Sequence, residues 1–369
     1  MEVKFLDLKK QYSMLKNEID AALQAVFAEG DFIKGAEVKK FEADFAAYCG
    51  ASHCVCCGNG TDALTALLKA HDFKPGSEVI LPANTFIATA EAVISNGLKP
   101  VFADISEDFT IKPLSVEALI NPNTCAIIAV HLYGHPADMD ALKKIAEKHG
   151  LKLFEDAAQA HGAVYHGKKV GTLAGGAGFS FYPGKVLGAA GDAGAIILND
   201  EKLAEKARKF CNHGRSQKYF HEFAGVNSRM DTLQAAVLNV KLKHLDEWVE
   251  ARNRVAKSYI EQLSDVSEIV LPEIHPETID AWHLFVIKTE KRDKLQEYLK
   301  NSGIETGIHY PLSLPEQPVF ADHLNYCSDY RAVKESKTLL SLPIGEHLSV
   351  EEVAFVAGKI KEFFSISQR

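Results

Sequence analysis

The chain has 369 residues, 47% of them hydrophobic, and a formal net charge of −8 spread along its length. That length accommodates one large domain and a smaller one. The lack of any basic block argues against nucleic-acid binding or a polybasic membrane patch, and no apolar run approaches the ~20 residues of a membrane-spanning helix. The opening residues, Met1-Glu2-Val3-Lys4-Phe5-Leu6-Asp7, carry charges where a secretory signal would be apolar, so a soluble cytoplasmic protein is expected. Seven cysteines include Cys54, Cys56 and Cys57 in a C-x-C-C cluster. This spacing fits no zinc site, and the cluster reads as small buried residues entering a turn, with neither metal nor disulfide expected.

Short apolar runs alternate with helical patterns, the signature of an α/β fold with a mostly parallel sheet. In chain order the readings are a helix over Thr61–Ala70, a strand over Glu78–Leu81, a helix over Asn84–Asn96 and a strand over Lys99–Ala103. Cys125–Leu132 is a continuous apolar run, as a strand buried on both faces requires. A helix over Ala137–His149 and strands over Leu151–Phe154, Gly178–Phe181 and Gly194–Leu198 follow. From Met230 to about Gln262 the apolar spacing predicts one long helix, with Leu233, Val237, Val240 and Leu245 on its inner face. Strand signals at Ala281–Thr289 and helices at Lys291–Lys300 and Val350–Phe364 make a smaller α+β unit. The expected division is residues 1–250 for the large domain and 251–369 for the small one.

Two segments carry the chemistry. Phe179-Ser180-Phe181-Tyr182-Pro183-Gly184-Lys185 brings an apolar strand to a Pro-Gly turn and presents one lysine, and Leu151-Lys152-Leu153-Phe154-Glu155-Asp156 ends another strand on a carboxylate. Alone, Lys185 reads as a solvated loop lysine and Asp156 as a helix cap. Together they suggest imine chemistry on pyridoxal 5'-phosphate (PLP), which needs a lysine for a Schiff base and a carboxylate to keep its pyridine nitrogen protonated. Gln159, one helical turn beyond Asp156, would share its face and reach the ring hydroxyl. Ser180 alternates with Phe179 and Phe181 and so points to the opposite side of the strand, where its hydroxyl can meet a phosphate. Gly58-Asn59-Gly60-Thr61-Asp62 is a glycine-rich turn opening a helix, an anion site through its free N–H groups and the helix dipole. It lacks the lysine of a P-loop and the spacing of a dinucleotide fingerprint. Phe86 stands at a strand end, where a ring can stack on a flat heterocycle. Gly191-Asp192-Ala193-Gly194 reads as a plain turn.

Taken in order, Gly60-Thr61-Asp62-Ala63-Leu64, Asn84-Thr85-Phe86, Glu155-Asp156-Ala157-Ala158-Gln159-Ala160, Phe179 through Lys185 and Gly225-Val226-Asn227-Ser228-Arg229-Met230 resemble the DegT/DnrJ/EryC1/StrS family of PLP-dependent nucleotide-sugar aminotransferases, of the aspartate aminotransferase fold (fold type I). The resemblance runs from Phe5-Leu6-Asp7-Leu8 to Leu342-Pro343. It implies Lys185 as the Schiff-base lysine and acid/base, Asp156 at the pyridine nitrogen, Gln159 at the ring hydroxyl and Phe86 stacked on the ring. It also implies Gly60, Thr61, Asp62 and Ser180 as the phosphate cradle, and Asn227 reaching the phosphate of a neighbouring subunit in a homodimer with shared active sites.

Lys185 favours aminotransfer over sugar dehydration, because dehydrating relatives carry histidine there. Val186, Ala193 and the run Leu312-Ser313-Leu314-Pro315-Glu316-Gln317 depart from the common pattern. The resemblance implies L-glutamate as amino donor and a nucleotide-linked keto-sugar as acceptor. Asn227–Arg229 and Val240–Trp248 look closest to the branch making dTDP-3-amino-3,6-dideoxyhexoses from dTDP-3-keto-6-deoxyhexoses, with UDP-linked 3-keto or 4-keto sugars as competitors. Tyr182, Tyr219, His309 and Tyr310 are candidate substrate contacts. A non-catalytic binder of PLP or a nucleotide sugar is the alternative of a different class, and it would not need Lys185.

Overall fold

A computed structural model describes residues 1–321 and 327–366. Its centre is a seven-stranded sheet of β1 (His53–Cys57), β2 (Glu78–Pro82), β3 (Lys99–Ala103), β4 (Thr124–Val130), β5 (Lys152–Asp156), β6 (Ala177–Ser180) and β7 (Gly194–Leu198). The spatial order is β1-β7-β6-β5-β4-β2-β3. Only β7 runs antiparallel to its neighbours, so the mostly parallel α/β sheet expected from the sequence is present.

Helices cover both faces, which is why the strands are apolar throughout rather than alternating. Along β4, Ala126, Ile128 and Val130 enter one core while Ile127 and Ala129 enter another. The helices of this part are α1 (Leu8–Glu29), α2 (Ala36–Cys49), α3 (Gly60–Ala70), α4 (Ala88–Ser95), α5 (Pro113–Leu119), α6 (Met139–His149), α7 (Glu201–Phe210) and α8 (Thr232–Lys241). Their ends follow ordinary capping rules. Asp138 accepts from Ala141 N (3.0 Å) at the start of α6, and Gly150 closes it in the left-handed region.

A further core gathers α9 (Leu245–Leu263), the antiparallel pair β8 (Phe285–Lys288) and β9 (Leu339–Leu342), α10 (Arg292–Asn301) and α12 (Val350–Ile366). Short helix α11 (Arg331–Glu335) precedes β9. Val3, from the other end of the chain, joins this core through bonds to Gly303 O (2.8 Å) and from Glu305 N (2.9 Å).

Three sequence expectations change. The helix expected over Asn84–Asn96 begins only at Ala88, because Asn84 and Thr85 are buried in a turn and the Ala83 carbonyl accepts from Leu314 N at 2.8 Å. The single helix expected from Met230 breaks at a 3-10 turn, Leu242–His244. Buried Lys241 ends α8 there, its Nζ held by Gly188 O and Gln11 Oε1, both at 2.7 Å. The bend lets α8 pack on α1 and α2 while α9 packs on α12. Finally, the cysteine cluster is itself strand β1, and Cys54, Cys56 and Cys57 are buried free thiols. The strand is buried from Cys54 to Cys57, and a run rich in cysteine did not read as an apolar strand. Among the described residues no helix is long and apolar enough to cross a membrane, and no cluster of metal-ligating side chains occurs.

Candidate active site

The carboxyl ends of β5 and β6 and the N-terminus of α3 open onto one cavity of about 530 Å³. This is where open α/β sheets place ligands, because the strands end there and the helices begin. The structure brings Gly60, Thr61, Phe86, Asp156 and Gln159 to its wall, together with Ser180, Tyr182, Lys185, His309 and Tyr310. Asp62, Asn227 and Tyr219 stand elsewhere. Asp62 accepts from Ser228 Oγ (2.6 Å) and Asn59 Nδ2 (3.0 Å), bracing the turn from behind. Asn227 is exposed, and Tyr219 is 85% exposed at the tip of the hairpin of Arg215–Gln217 and Phe220–His221.

Lys185 sits in the turn after β6, its N–H bonded to Tyr182 O at 2.8 Å. Its ammonium has no hydrogen-bond acceptor among the described residues, and burial pulls its pKa down to about 8 against the opposing pull of Asp156. The amine is therefore partly neutral near physiological pH, as a nucleophile must be. Reaction of Lys185 with a small aldehyde, trapped by borohydride and located by mass spectrometry, should rise with pH to a midpoint near 8. A midpoint above about 10, the range of an ordinary lysine, would overturn this reading.

Asp156 closes β5 and is 6% exposed. Thr89 Oγ1 donates to its Oδ2 at 2.7 Å and Ala158 N to its Oδ1 at 3.2 Å. Burial raises its pKa above the ordinary carboxylate value, and these two donors and Lys185 pull the other way. Gln159 Oε1 accepts from Tyr133 N (2.7 Å), which leaves its Nε2 to donate to Tyr310 Oη (3.0 Å) with a second N–H free. Phe86 is 55% exposed beside the cavity, its ring 6.0 Å from that of Tyr310. Burial lowers His309 to about 4 and His283 well below its usual range, so both imidazoles are neutral. Lys185 is the one cationic side chain among the described residues lining the cavity.

Several contributors escaped the sequence reading. Asn59 caps α3 by accepting from Asp62 N at 2.8 Å. Asp192, within what read as a plain turn, lines the cavity. His283 does too, on a segment fixed by Ala281 N to Gly134 O (2.9 Å) and Leu284 N to Tyr133 O (3.2 Å). Gly134 is required there: at φ +96 a Cβ would lie 2.8 Å from the backbone nitrogens of Trp282 and His283. The buried pair of Arg252 Nη2 and Glu346 Oε2 (3.1 Å) holds the same segment, since Arg252 Nη1 also donates to Trp282 O at 3.0 Å. The only sequence signal for His283 was a polar residue inside an apolar run.

The site fits PLP. At Gly60 a Cβ would lie 2.6 Å from Ser180 Cβ, so only glycine lets the first turn of α3 approach β6 this closely. The N–H groups of Gly60 and Thr61 in that turn precede any intrahelical acceptor, and with Ser180 Oγ they form a phosphate-sized anion cradle. The lone lysine and the buried carboxylate lie in the same cavity.

A profile of the DegT/DnrJ/EryC1/StrS aminotransferase family matches residues 13–361. The dTDP-3-amino-3,4,6-trideoxy-alpha-D-glucose transaminase of Streptomyces venezuelae is 46% identical over 363 residues, covering 98% of this chain and 96% of its own. The dTDP-3-amino-3,6-dideoxy-alpha-D-galactopyranose transaminase of Aneurinibacillus thermoaerophilus is 42% identical over 362 residues, covering 98% and 99%. The crystal structure of S. venezuelae DesV in complex with a ketimine intermediate superposes with a TM-score of 0.95 at 45% identity, over 98% of both chains. Sequence, fold and cavity thus agree that this chain belongs to the DegT/DnrJ/EryC1/StrS aminotransferase family and is a PLP-dependent transaminase.

Proposed function

We propose that the protein transfers an amino group from L-glutamate to C3 of a dTDP-linked 3-keto-6-deoxyhexose, giving a dTDP-3-amino-3,6-dideoxyhexose. The names of two of the similar proteins support this reading, since both are transaminases of dTDP-linked 3-amino sugars. The observation that carries it is the lining of the cavity, where neutral His309 stands with Tyr310 and Tyr182 to offer hydrogen bonds to sugar hydroxyls.

PLP, when bound, withdraws electrons from the carbon bearing the amino group and so acidifies its proton. Lys185 would take that proton on Nζ and return it two atoms further along, to the cofactor-side carbon beyond the nitrogen, a task for which its lowered pKa suits it. Asp156, as carboxylate, keeps the pyridine nitrogen protonated, and the free N–H of Gln159 Nε2 holds the ring hydroxyl. Phe86 packs on the ring. Gly60, Thr61 and Ser180 hold the phosphate, while Asp62 braces their turn through Ser228 and Asn59. Asn227 and Tyr219, exposed on this chain, serve the site of a second copy in a homodimer.

The test is absorbance of the PLP-loaded protein. L-glutamate should bleach its yellow colour, and a panel of dTDP- and UDP-linked 3-keto and 4-keto sugars should restore it, fastest with the dTDP-3-keto-6-deoxyhexose. Faster return with a UDP-linked or 4-keto sugar overturns the acceptor, and no bleaching overturns the donor.

A further inference from the structure

The Asp156 carboxylate does not stand alone. Thr89 is fully buried, and its hydroxyl lies 2.7 Å from Asp156 Oδ2 and 3.1 Å from Thr85 Oγ1. It also lies 3.3 Å from the carbonyl of Phe86, which accepts from Thr89 N at 3.3 Å as well. Thr85, itself 4% exposed, lines the cavity. An ionised carboxylate can only accept, so the single Thr89 proton goes to Asp156 over the shorter contact, and Thr89 in turn accepts from Thr85. The result is a buried chain in which Thr85 donates to Thr89 and Thr89 donates to Asp156.

The chain can also run the other way. With Asp156 protonated, its hydroxyl donates to Thr89 Oγ1, and Thr89 turns its own proton to the Phe86 carbonyl. The same hydroxyl therefore reads the charge of Asp156 and touches the turn that carries Phe86, an exposed aromatic ring beside the cavity. In a low-dielectric interior such a donor favours the ionised acid, because a hydrogen bond to a charged group is about twice as strong as a neutral one.

We propose that Thr89, relayed by Thr85, is a positioning residue that keeps Asp156 ionised, and that it thereby extends downward in pH the range over which the protein holds PLP. The proposal rests on the reading of Asp156 as the partner of the pyridine nitrogen. A serine would retain the hydroxyl, whereas valine keeps the shape of threonine and removes the donor.

The measurement is PLP affinity against pH, followed by fluorescence, for the wild type and for Thr89→Val, Thr89→Ser, Thr85→Val and Asp156→Asn, alongside apo-protein melting temperatures. The acid limb of PLP binding should move up by about one pH unit in Thr89→Val, the size expected for one charge-assisted hydrogen bond. Thr85→Val should move it the same way by less, and Thr89→Ser should restore the wild-type limb. A Thr89→Val limb coincident with the wild type overturns the proposal. So does a loss of affinity equal at every pH, which would mark a packing role. Asp156→Asn separates the two readings: it should abolish the carboxylate's contribution to the acid limb, and a wild-type limb in that variant would instead remove Asp156 from the pyridine nitrogen.

Discussion

Lys185→Ala is expected to abolish glutamate-driven bleaching of the PLP-loaded protein while leaving the fold as stable as before or more so. The first half follows from its role: the variant loses both the amine that bonds the cofactor and the base that moves the proton, each worth ~10²–10⁴ in rate, so the half-reaction should slow by at least about 10⁴-fold. The second half follows from its surroundings. Lys185 Nζ forms no hydrogen bond among the described residues, and its folded pKa of about 8 lies below the ~10.4 of an unfolded lysine. Folding therefore expels protons from this group. The penalty for holding it charged is full below about pH 8 and disappears as pH rises past the unfolded value. Alanine removes that penalty, so the apo-protein at pH 7 should melt no lower than the wild type. Stopped-flow absorbance with glutamate and thermal melting of the apo-proteins check the two halves. Bleaching at the wild-type rate would remove Lys185 from the chemistry, and a collapse in melting temperature would show a packing role that the geometry gives no reason to expect.

Asp156→Asn should damage catalysis heavily, though less than loss of the lysine, while sparing the local structure. The amide can keep both existing partners: its oxygen accepts from Ala158 N, and its NH2 donates to Thr89 Oγ1, which is free to turn its proton to Phe86 O at 3.3 Å. What disappears is the negative charge. Without it the pyridine nitrogen loses its proton and the ring its capacity to accept electrons, an electrostatic loss expected to slow the glutamate half-reaction by ~10²–10³. PLP affinity should fall as well, since the ion pair across the nitrogen is gone. Rates and affinity within a few-fold of wild type would mean that another group protonates the nitrogen.

The sequence by itself specified six of the seven central strands, all but β1, and pointed to Lys185 and Asp156 as the candidate chemical residues. Lys185 and Asp156 were legible because each ends a short apolar strand, and strand ends of a parallel sheet converge on one edge. Gly60 read as part of an anion turn because a glycine-rich turn opening a helix presents free N–H groups at the positive end of its dipole. For Gln159, Phe86 and Ser180 the family resemblance repeated roles that position had already suggested, and it added the expectation that Asn227 reaches a neighbouring subunit.

Tertiary structure decided what depends on contacts between distant segments. Whether Lys185 is neutral is set by burial among residues from several elements, and no local pattern reports it. Thr89 looked like an ordinary helical residue until folding laid it against a carboxylate 67 positions away. His283 came to the cavity only through the pinning of its segment by Gly134 and Arg252. Conversely, Asp62 read as part of the cradle, yet its carboxylate accepts from Ser228 Oγ and Asn59 Nδ2, contacts that only the folded chain supplies. Residue type and periodicity specify which groups can do chemistry. Their protonation state and their partners belong to the packed three-dimensional arrangement, where burial and distance fix the energy of each charge.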